Sequence, residues 1–408
     1  MTALRRLAFP FWLAAARVRR RRGQLLLVVL GLAAATAMLA GVLAGTTAAE
    51  DREVGRQVAS LPAKVRSVRV NWFSVGGQVA PYATLDANVR RELGRVLPER
   101  ATGTALYSES QLGGSGTLVG LGAVDDLGRW VRLRSGRLPR TCTLERCEVL
   151  VIRSGGRLPN VPGLRLVPVG EGDLRTAALF GDAVPAEGLN QSQFVQHIAR
   201  YHRPAPPPLV LANGVAALDR SPRLHNSYRS YGWVLPLGHG TVRSWSADAL
   251  ATRIEQARTA FQTGTFGFDL AAPTDELRSA ADDARVSGRR LLLLGGEAVA
   301  LLLAFAVLVG ARQRRDADAA RARLRAAGVA RWQSGFMILL ESLAAAVAGT
   351  LLGWVAGSAV TAAIAGRSGE PVGALLRHSV LSGHGIWVAV VVGAVAGIVL
   401  ALALTIAP

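Results

Sequence analysis

The sequence predicts a membrane protein with four transmembrane α-helices in a one-plus-three arrangement and a large extracytoplasmic α+β domain between the first and second spans. Three observations lead to this fold class. One long apolar segment lies near the N-terminus, a mostly polar block covers 50–290, and three further apolar segments fill the rest of the chain. This layout places most polar residues in one domain outside the bilayer.

The positive charge is concentrated in two short segments, each beside an apolar one. The chain is 50% hydrophobic, yet its formal net charge is +19. Residues 1–24 contain seven arginines and no acid, and 311–333 contain seven arginines with Asp316 and Asp318, so the two segments supply +7 and +5 of that charge. This is the Lys/Arg bias of cytoplasmic loops. It argues against a nucleic-acid-binding protein, whose basic residues would form a patch on a soluble domain.

Four segments are long enough to cross a bilayer, whose core of about 30 Å needs roughly 20 apolar residues in a helix. They are 25–49, 291–310, 334–365 and 385–408. The first segment could instead be a secretory signal peptide, because arginines precede it and small residues end it. Its apolar run exceeds the usual h-region of about 7–15 residues, so we expect it to remain as a span.

Placing both arginine-rich segments in the cytoplasm fixes the direction of every span. The N-terminus is then cytoplasmic, whereas the block 50–290 and the loop 366–384 are extracytoplasmic. All four spans agree with this topology, although Arg289 and Arg290 lie on the outer side.

Glycines recur every four residues within three of the spans and predict flat faces for close helix packing. They are Gly41 and Gly45 in the first span, Gly349, Gly353 and Gly357 in the third, and Gly393 and Gly397 in the fourth. The alternative is that small residues are simply frequent in a chain rich in alanine and glycine. In either case we expect these spans to pack against protein.

Two acids lie within spans, where an ionisable side chain is costly and suggests a functional role. Glu297 lies towards the outer end of the second span, and Glu341 towards the inner end of the third. Their depths differ by roughly 10 Å, so we expect neither a shared carboxylate pair nor a proton-relay pump. A place at a helix interface or at the headgroups is the simpler interpretation, above all for Glu297.

The block 50–290 has the mixed pattern of an α+β domain. Runs typical of strands are 64–72, 147–153, 164–169, 231–237 and 266–271, and runs typical of helices are 85–97 and 247–261. We expect 52–100 and 236–285 to form a membrane-proximal lobe, because each pairs a strand with a helix, and 101–235 to form an inserted distal lobe. Helical stalks at 50–61 and 274–290 are expected to join this domain rigidly to the first two spans.

The two cysteines, Cys142 and Cys147, both lie in this block, where the compartment allows oxidation and their spacing can close a small loop. We therefore expect a disulfide. Two sulfurs without a histidine cluster make a poor zinc site, and His197 and His202 would lie about 140° apart on a helix. With neither a G-x-S-x-G nor an H-E-x-x-H motif in the sequence, we expect no catalytic, metal-binding or cofactor-binding residue in this chain.

The inner loop 311–333 has the composition of a short amphipathic element that could dock into a groove on a soluble partner. Good helix formers continue the second span, and a glycine suited to a helix C-cap follows them. The candidate contact residues are Arg321, Arg323, Leu324, Arg325, Gly328, Arg331, Trp332 and Gln333. The alternative is an ordinary basic loop that only fixes topology.

A resemblance to a known family favours the docking interpretation. The run 324–328 (Leu-Arg-Ala-Ala-Gly) with Arg331 and Gln333, and the next span opening on 339–343 (Leu-Leu-Glu-Ser-Leu), resembles the FtsX/MacB-type ABC transporter permeases. The match covers 291–353, and the one-plus-three layout covers the whole chain. The run 135–139 (Ser-Gly-Arg-Leu-Pro) before a strand is similar to the MacB-like extracytoplasmic domain.

The resemblance implies a permease subunit of a bacterial inner membrane that works by mechanotransmission. A cytoplasmic ABC ATPase dimer, binding ATP and Mg, would act on the coupling loop and move the outer domain. The ATPase must be a separate chain, because the sequence has no G-x-x-x-x-G-K-[ST] motif and its only lysine, Lys64, lies in the outer block. A second permease copy in a homodimer, or a related permease, is the expected membrane partner.

Three functions remain open at this point. The first is export or extraction of a lipid, lipoprotein, peptide or drug. The second is a signal transmitter of the same architecture that activates a cell-wall hydrolase without transport, and the third is a membrane-anchored sensor or adhesion domain with no ATPase. Because many permeases of this type resemble longer chains, the present chain could also be the N-terminal part of a longer permease.

Overall fold

The computed structural model describes residues 22–63, 65–74, 80–109, 119–153, 158, 161–175, 209–227, 229–238, 240–312, 322, 326 and 331–405. The chain forms two compact units. The helical unit comprises Met1–Glu53 and Asp282–Pro408, and the sheet unit comprises Val54–Ala281.

The helices and strands follow in chain order. The helices are α1 (Arg22–Ser60), α2 (Tyr82–Val96), α3 (Leu127–Trp130), α4 (Val215–Asp219), α5 (Ala247–Thr263), α6 (Thr274–Arg312), α7 (Arg331–Arg367), α8 (Val372–His378) and α9 (Gly383–Thr405). The strands are β1 (Ser67–Ser74), β2 (Thr102–Glu109), β3 (Val119–Val124), β4 (Val131–Gly136), β5 (Arg146–Arg153), β6 (Arg165–Leu174), β7 (Leu209–Asn213), β8 (Arg229–Pro236) and β9 (Asp269–Ala271). A 3₁₀ turn at Pro222–Leu224 precedes β8.

Four helices, α1, α6, α7 and α9, are long and apolar enough to cross a membrane. A sheet-containing domain lies in the chain between the first and the second of them. This confirms the predicted one-plus-three layout of apolar helices around a mixed domain. The short helix α8, in the loop after the third span, has no counterpart in the prediction.

Close approaches within the helical unit show which way neighbouring helices run. A Cβ atom at Gly31 of α1 would lie 3.2 Å from Ala306 Cβ of α6, and one at Gly295 would lie 2.5 Å from Val42 Cγ1. An early residue of α1 thus meets a late residue of α6, and the reverse, so the two helices are antiparallel. This is the arrangement that two consecutive spans require.

The described residues of the sheet unit form one mixed sheet of nine strands. Its strand order is β4-β6-β5-β7-β3-β2-β8-β1-β9. β8 pairs antiparallel with both β1 and β2, while the β3–β7 and β5–β6 pairs are parallel. Strands from the predicted proximal segments and from the predicted insert therefore share one sheet. The division into two lobes stays a prediction.

Two amphipathic helices, α2 and α5, pack side by side in the sheet unit. In α2 the buried residues Leu85, Val89 and Leu93 recur every four positions, which places them on one face of the helix. The tyrosine at the start of α2 stacks on Trp233 of β8, with ring centroids 6.0 Å apart. Helix and sheet thus share an aromatic core, and β8 lies at its centre.

Candidate functional site

The glycines of the third span lie directly against the first helix. A Cβ atom at Gly349 would lie 2.7 Å from Leu32 Cβ and 3.1 Å from the Val29 carbonyl oxygen. At Gly353 it would overlap the backbone of Ala33. Only glycine allows the two backbones to approach this closely.

The same contact continues one turn further along α7 and includes a hydroxyl. A Cβ atom at Gly357 would lie 2.5 Å from the Ala37 carbonyl oxygen. The Thr36 hydroxyl lies 2.8 Å from the Leu32 carbonyl in its own helix and 3.3 Å from the Gly349 carbonyl of α7. We call the contact of Gly349, Gly353 and Gly357 with α1 the α1–α7 seam. Successive glycines along α7 contact successively later residues of α1, so the two helices are parallel.

The glycines of the fourth span face the third. A Cβ atom at Gly393 would lie 2.8 Å from Thr350 Oγ1, and one at Gly397 would lie 3.2 Å from Ala346 Cβ. The numbers run in opposite directions, as consecutive spans require. In contrast, the described structure places no atom of another element within 4 Å of a Cβ at Gly41. The same holds for Gly45.

The intramembrane acids lie in different surroundings. Glu297 is exposed on α6, whereas Glu341 is partly buried on α7. Next to Glu341, Ser342 is 2% exposed, and its hydroxyl has no hydrogen-bond partner among the described residues. Polar groups thus accompany the small residues on α7.

Most of the predicted coupling residues fall outside the described part of the chain. These are Arg321, Arg323, Leu324, Arg325 and Gly328. Nearly all of the N-terminal segment 1–24 also lies outside the described residues. The described structure places the backbone of Arg331, Trp332 and Gln333 in the first turn of α7. The coupling role of the loop stays a prediction.

The two cysteines form the predicted disulfide, with an S–S distance of 2.03 Å between Cys142 and Cys147. Beside it, the Glu148 carboxylate accepts hydrogen bonds from the Arg137 guanidinium at 2.6 and 2.8 Å and from the Arg140 amide at 2.9 Å. These hydrogen bonds, chiefly those from Arg137, lower the pKa of Glu148 to about 2. We call these contacts of Glu148 with Arg137 and Arg140 the charged clamp. The clamp holds the segment that leads into the disulfide loop.

A polar cleft of about 440 Å³ lies between α2 and the turns that follow β3 and β7. At its base Asp86 accepts two hydrogen bonds from Arg90 Nε, at 2.7 and 2.8 Å, and one from the Trp233 indole at 2.8 Å. Arg90 also donates to the Ala101 carbonyl at 2.8 Å and to Asp125 at 3.1 Å. One arginine therefore joins α2 to two separate loops.

The second carboxylate of the cleft, Asp125, also has partners beyond Arg90. Asp125 accepts a hydrogen bond from the Val215 amide at 3.0 Å. Its carboxylate also packs against Gly103, since a Cβ atom at that residue would lie 2.6 Å from Asp125 Oδ2. Burial, together with Asp125 and Asp86, raises the pKa of Tyr82, so its phenol stays protonated. Because these groups satisfy one another, we assign the cluster to holding α2 on the sheet. Reasoning from the sequence missed this cluster, because residues 86 and 125 share no motif.

A second charged cluster surrounds a fully buried arginine, Arg229. The Arg229 guanidinium donates to the His225 carbonyl at 2.6 Å and lies 3.4 Å from Asp219 Oδ1. Its side chain is 0% exposed. Tyr107 and Tyr231 both donate to the same carboxylate. Burial raises the pKa of both tyrosines, which keeps them protonated as donors.

Neither cluster has the composition of a metal centre. Among the described residues, no group of three or more histidine, cysteine, aspartate or glutamate side chains could hold a metal ion. No family model matches the chain, and no curated protein matches it either.

Proposed function

We propose that this protein is the permease subunit of an FtsX/MacB-type ABC transporter. A separate cytoplasmic ATPase would act on the loop between the second and third spans, and the motion would pass to the domain between the first and second spans. The substrate would be a lipid, lipoprotein, peptide or drug. The complex would contain a second permease, either an identical copy or a related chain, in a bacterial inner membrane.

The continuity of two helices carries this proposal. α1 extends from the first span to Ser60, and α6 begins at Thr274 and extends through the second span. Each therefore contains residues of both the helical unit and the sheet unit. A displacement of either helix at its membrane segment has a direct covalent and hydrogen-bonded route to the sheet unit.

The packing of the spans supports the same proposal. α1 is antiparallel to α6 and parallel to α7, and α9 is antiparallel to α7, as an alternating four-span topology requires. The α1–α7 seam couples the helix that leads into the sheet unit to the helix that follows the proposed coupling loop. A force applied at the start of α7 would thus reach α1 through backbone contacts.

Partner capture tests the proposal against a sensor with no ATPase. The tagged full chain would be purified from native membranes in mild detergent, and ATPase activity in the eluate would be measured. A permease brings an ABC ATPase with it, and Arg325→Glu releases that ATPase. Arg95→Glu, an equal charge reversal on an exposed residue of α2, leaves capture unchanged. Eluates free of ATPase from the wild-type chain would favour the sensor.

Transport and signalling use the same mechanics, so a different experiment separates them. If the chain activates a cell-wall hydrolase, the hydrolase co-purifies with it and its activity depends on ATP. If the chain is a transporter, the captured complex moves a labelled amphiphile between vesicle and acceptor. The glycine-rich α1–α7 seam is needed in both cases.

A further inference from the structure

Two exposed arginines line one groove of the sheet unit and a third lies beside it, at the end of the sheet where β5 and β6 begin. In the parallel β5–β6 pair, Arg146 lies directly opposite Arg165. Like charges opposite one another on adjacent strands are destabilising. No described carboxylate forms an ion pair with either of them. Among the described residues, this repulsive pair is thus not neutralised by a carboxylate.

The second lining arginine reaches the same groove from another element. Arg165 and Arg223 both line a cavity of about 730 Å³. Arg223 belongs to the 3₁₀ turn before β8, and its guanidinium lies across Gly163, where a Cβ atom would come within 2.6 Å of Nε. Gly163 also has a φ of +78°, which favours glycine. The turn that leads into β6 is therefore shaped to admit this guanidinium.

The rest of the groove is largely apolar. Leu144, at the tip of the disulfide loop, is 55% exposed and lines it together with Pro222. Glu145 is the one acid among the lining residues, and its carboxylate forms no ion pair with a described residue. Two lining arginines with Arg146 beside them outweigh this one acid. The groove therefore combines a positive end with apolar walls.

We propose that this groove binds the phosphate group of an amphiphile, with its apolar portion against Leu144 and Pro222. Arginine forks match phosphate oxygens in geometry and charge. A bound phosphate would also relieve the repulsion between Arg146 and Arg165. The site is independent of the proposed coupling to an ATPase, since it is built from the sheet unit alone.

Binding of short-chain lipids to the full-length protein in maltoside detergent tests the proposal. The probes are dihexanoylphosphatidylglycerol, which is anionic, dihexanoylphosphatidylcholine, which is zwitterionic, and glycerol phosphate, which has no acyl chains. Isothermal titration would show that the first binds most tightly and that its affinity falls with added salt. The double variant R165A/R223A should bind it roughly tenfold or more weakly.

Two further variants keep the test decisive. R91A/R253A removes the same two positive charges from exposed positions on α2 and α5 and should bind like wild type. The charge-conserving R165K/R223K should bind better than the alanine pair, which separates loss of charge from loss of fold. Equal binding by R165A/R223A and wild type, no binding by wild type, or equal affinity for all three probes would overturn the proposal. The titration does not measure ATPase capture. A negative result for lipid binding would therefore leave the permease proposal standing, and loss of ATPase capture would leave the phosphate site standing.

Discussion

Arg52 Nε of α1 donates to Glu370 Oε1, in the loop between α7 and α8, at a distance of 3.1 Å. The two residues are 318 positions apart in sequence. The arginine side chain is 56% exposed and the glutamate 11%. The pair places the end of the first span and the loop after the third span at the same end of the helical unit, as the parallel α1–α7 seam requires.

Crosslinking tests this arrangement. Arg52→Cys with Glu370→Cys should react with a short bifunctional maleimide, because the native side chains are in contact. Arg52→Cys with Arg312→Cys should not, because α1 and α6 are antiparallel and residue 312 ends α6 at the other end of the unit. Both native cysteines are in the disulfide, so the background is low. Mass spectrometry of the crosslinked peptides gives the readout, and a 52–312 crosslink would contradict the topology.

The α1–α7 seam predicts unequal effects for two identical substitutions. Gly353→Ala forces a methyl group into the backbone of α1 and should lower the free energy of unfolding by about 1–3 kcal/mol. Gly41→Ala meets no described atom of another element within 4 Å and should change it little. Thermal melting of both variants in one detergent measures the difference. Equal melting temperatures would mean that the seam is not closely packed.

The buried cluster around Arg229 predicts a large cost for losing one acid. Asp219→Ala leaves the guanidinium buried without its carboxylate and should destabilise the protein by about 3–5 kcal/mol. Asp173→Ala breaks an ion pair with Arg134 whose two side chains are 44% and 64% exposed, and should cost at most about 1 kcal/mol. Chemical denaturation compares the two. A small effect at Asp219 would contradict the assignment of this cluster to stability.

The clamp on the disulfide loop predicts a pH dependence. The pKa of Glu148 is lowered from 4.5 to about 2 in the folded protein. The ionised clamp therefore adds stability above about pH 4.5, and this stability is lost as the pH falls through about 2. Glu148→Gln should have a lower melting temperature than wild type at neutral pH. This gap in melting temperature should narrow as the pH falls from about 4.5 to about 2. A gap that stays constant with pH would show that ionisation of Glu148 is not involved.

The apolar helices were predictable because each is a local property of the chain. A transmembrane helix needs only sufficient length and hydropathy. In α7 and α9, four glycines at which an added Cβ atom would come within 3 Å of another helix could be recognised from their four-residue spacing alone. Which helix each glycine faces could not be predicted. That choice depends on how four apolar surfaces of similar composition fit together.

The sheet unit was predictable only in part, for a related reason. The strand runs at 147–153 and 231–237 were recognised from their β-branched and aromatic residues, and β5 and β8 lie there. β3 (Val119–Val124) was missed because its glycines and alanine have low strand propensity. The cluster of Asp86, Arg90 and Asp125, and the opposition of Arg146 and Arg165, depend on strand order and register. Neither is encoded in a short motif.

ATPase stimulation by the purified full chain tests the central claim most directly. We expect the wild-type chain to change the hydrolysis rate of the ABC ATPase captured with it. Gly328→Pro, which alters the backbone of the proposed coupling loop, should abolish the change while the protein melts like wild type. Stimulation that is unaffected by both Gly328→Pro and Arg325→Glu would contradict the account, because force would then enter the membrane helices somewhere other than this loop.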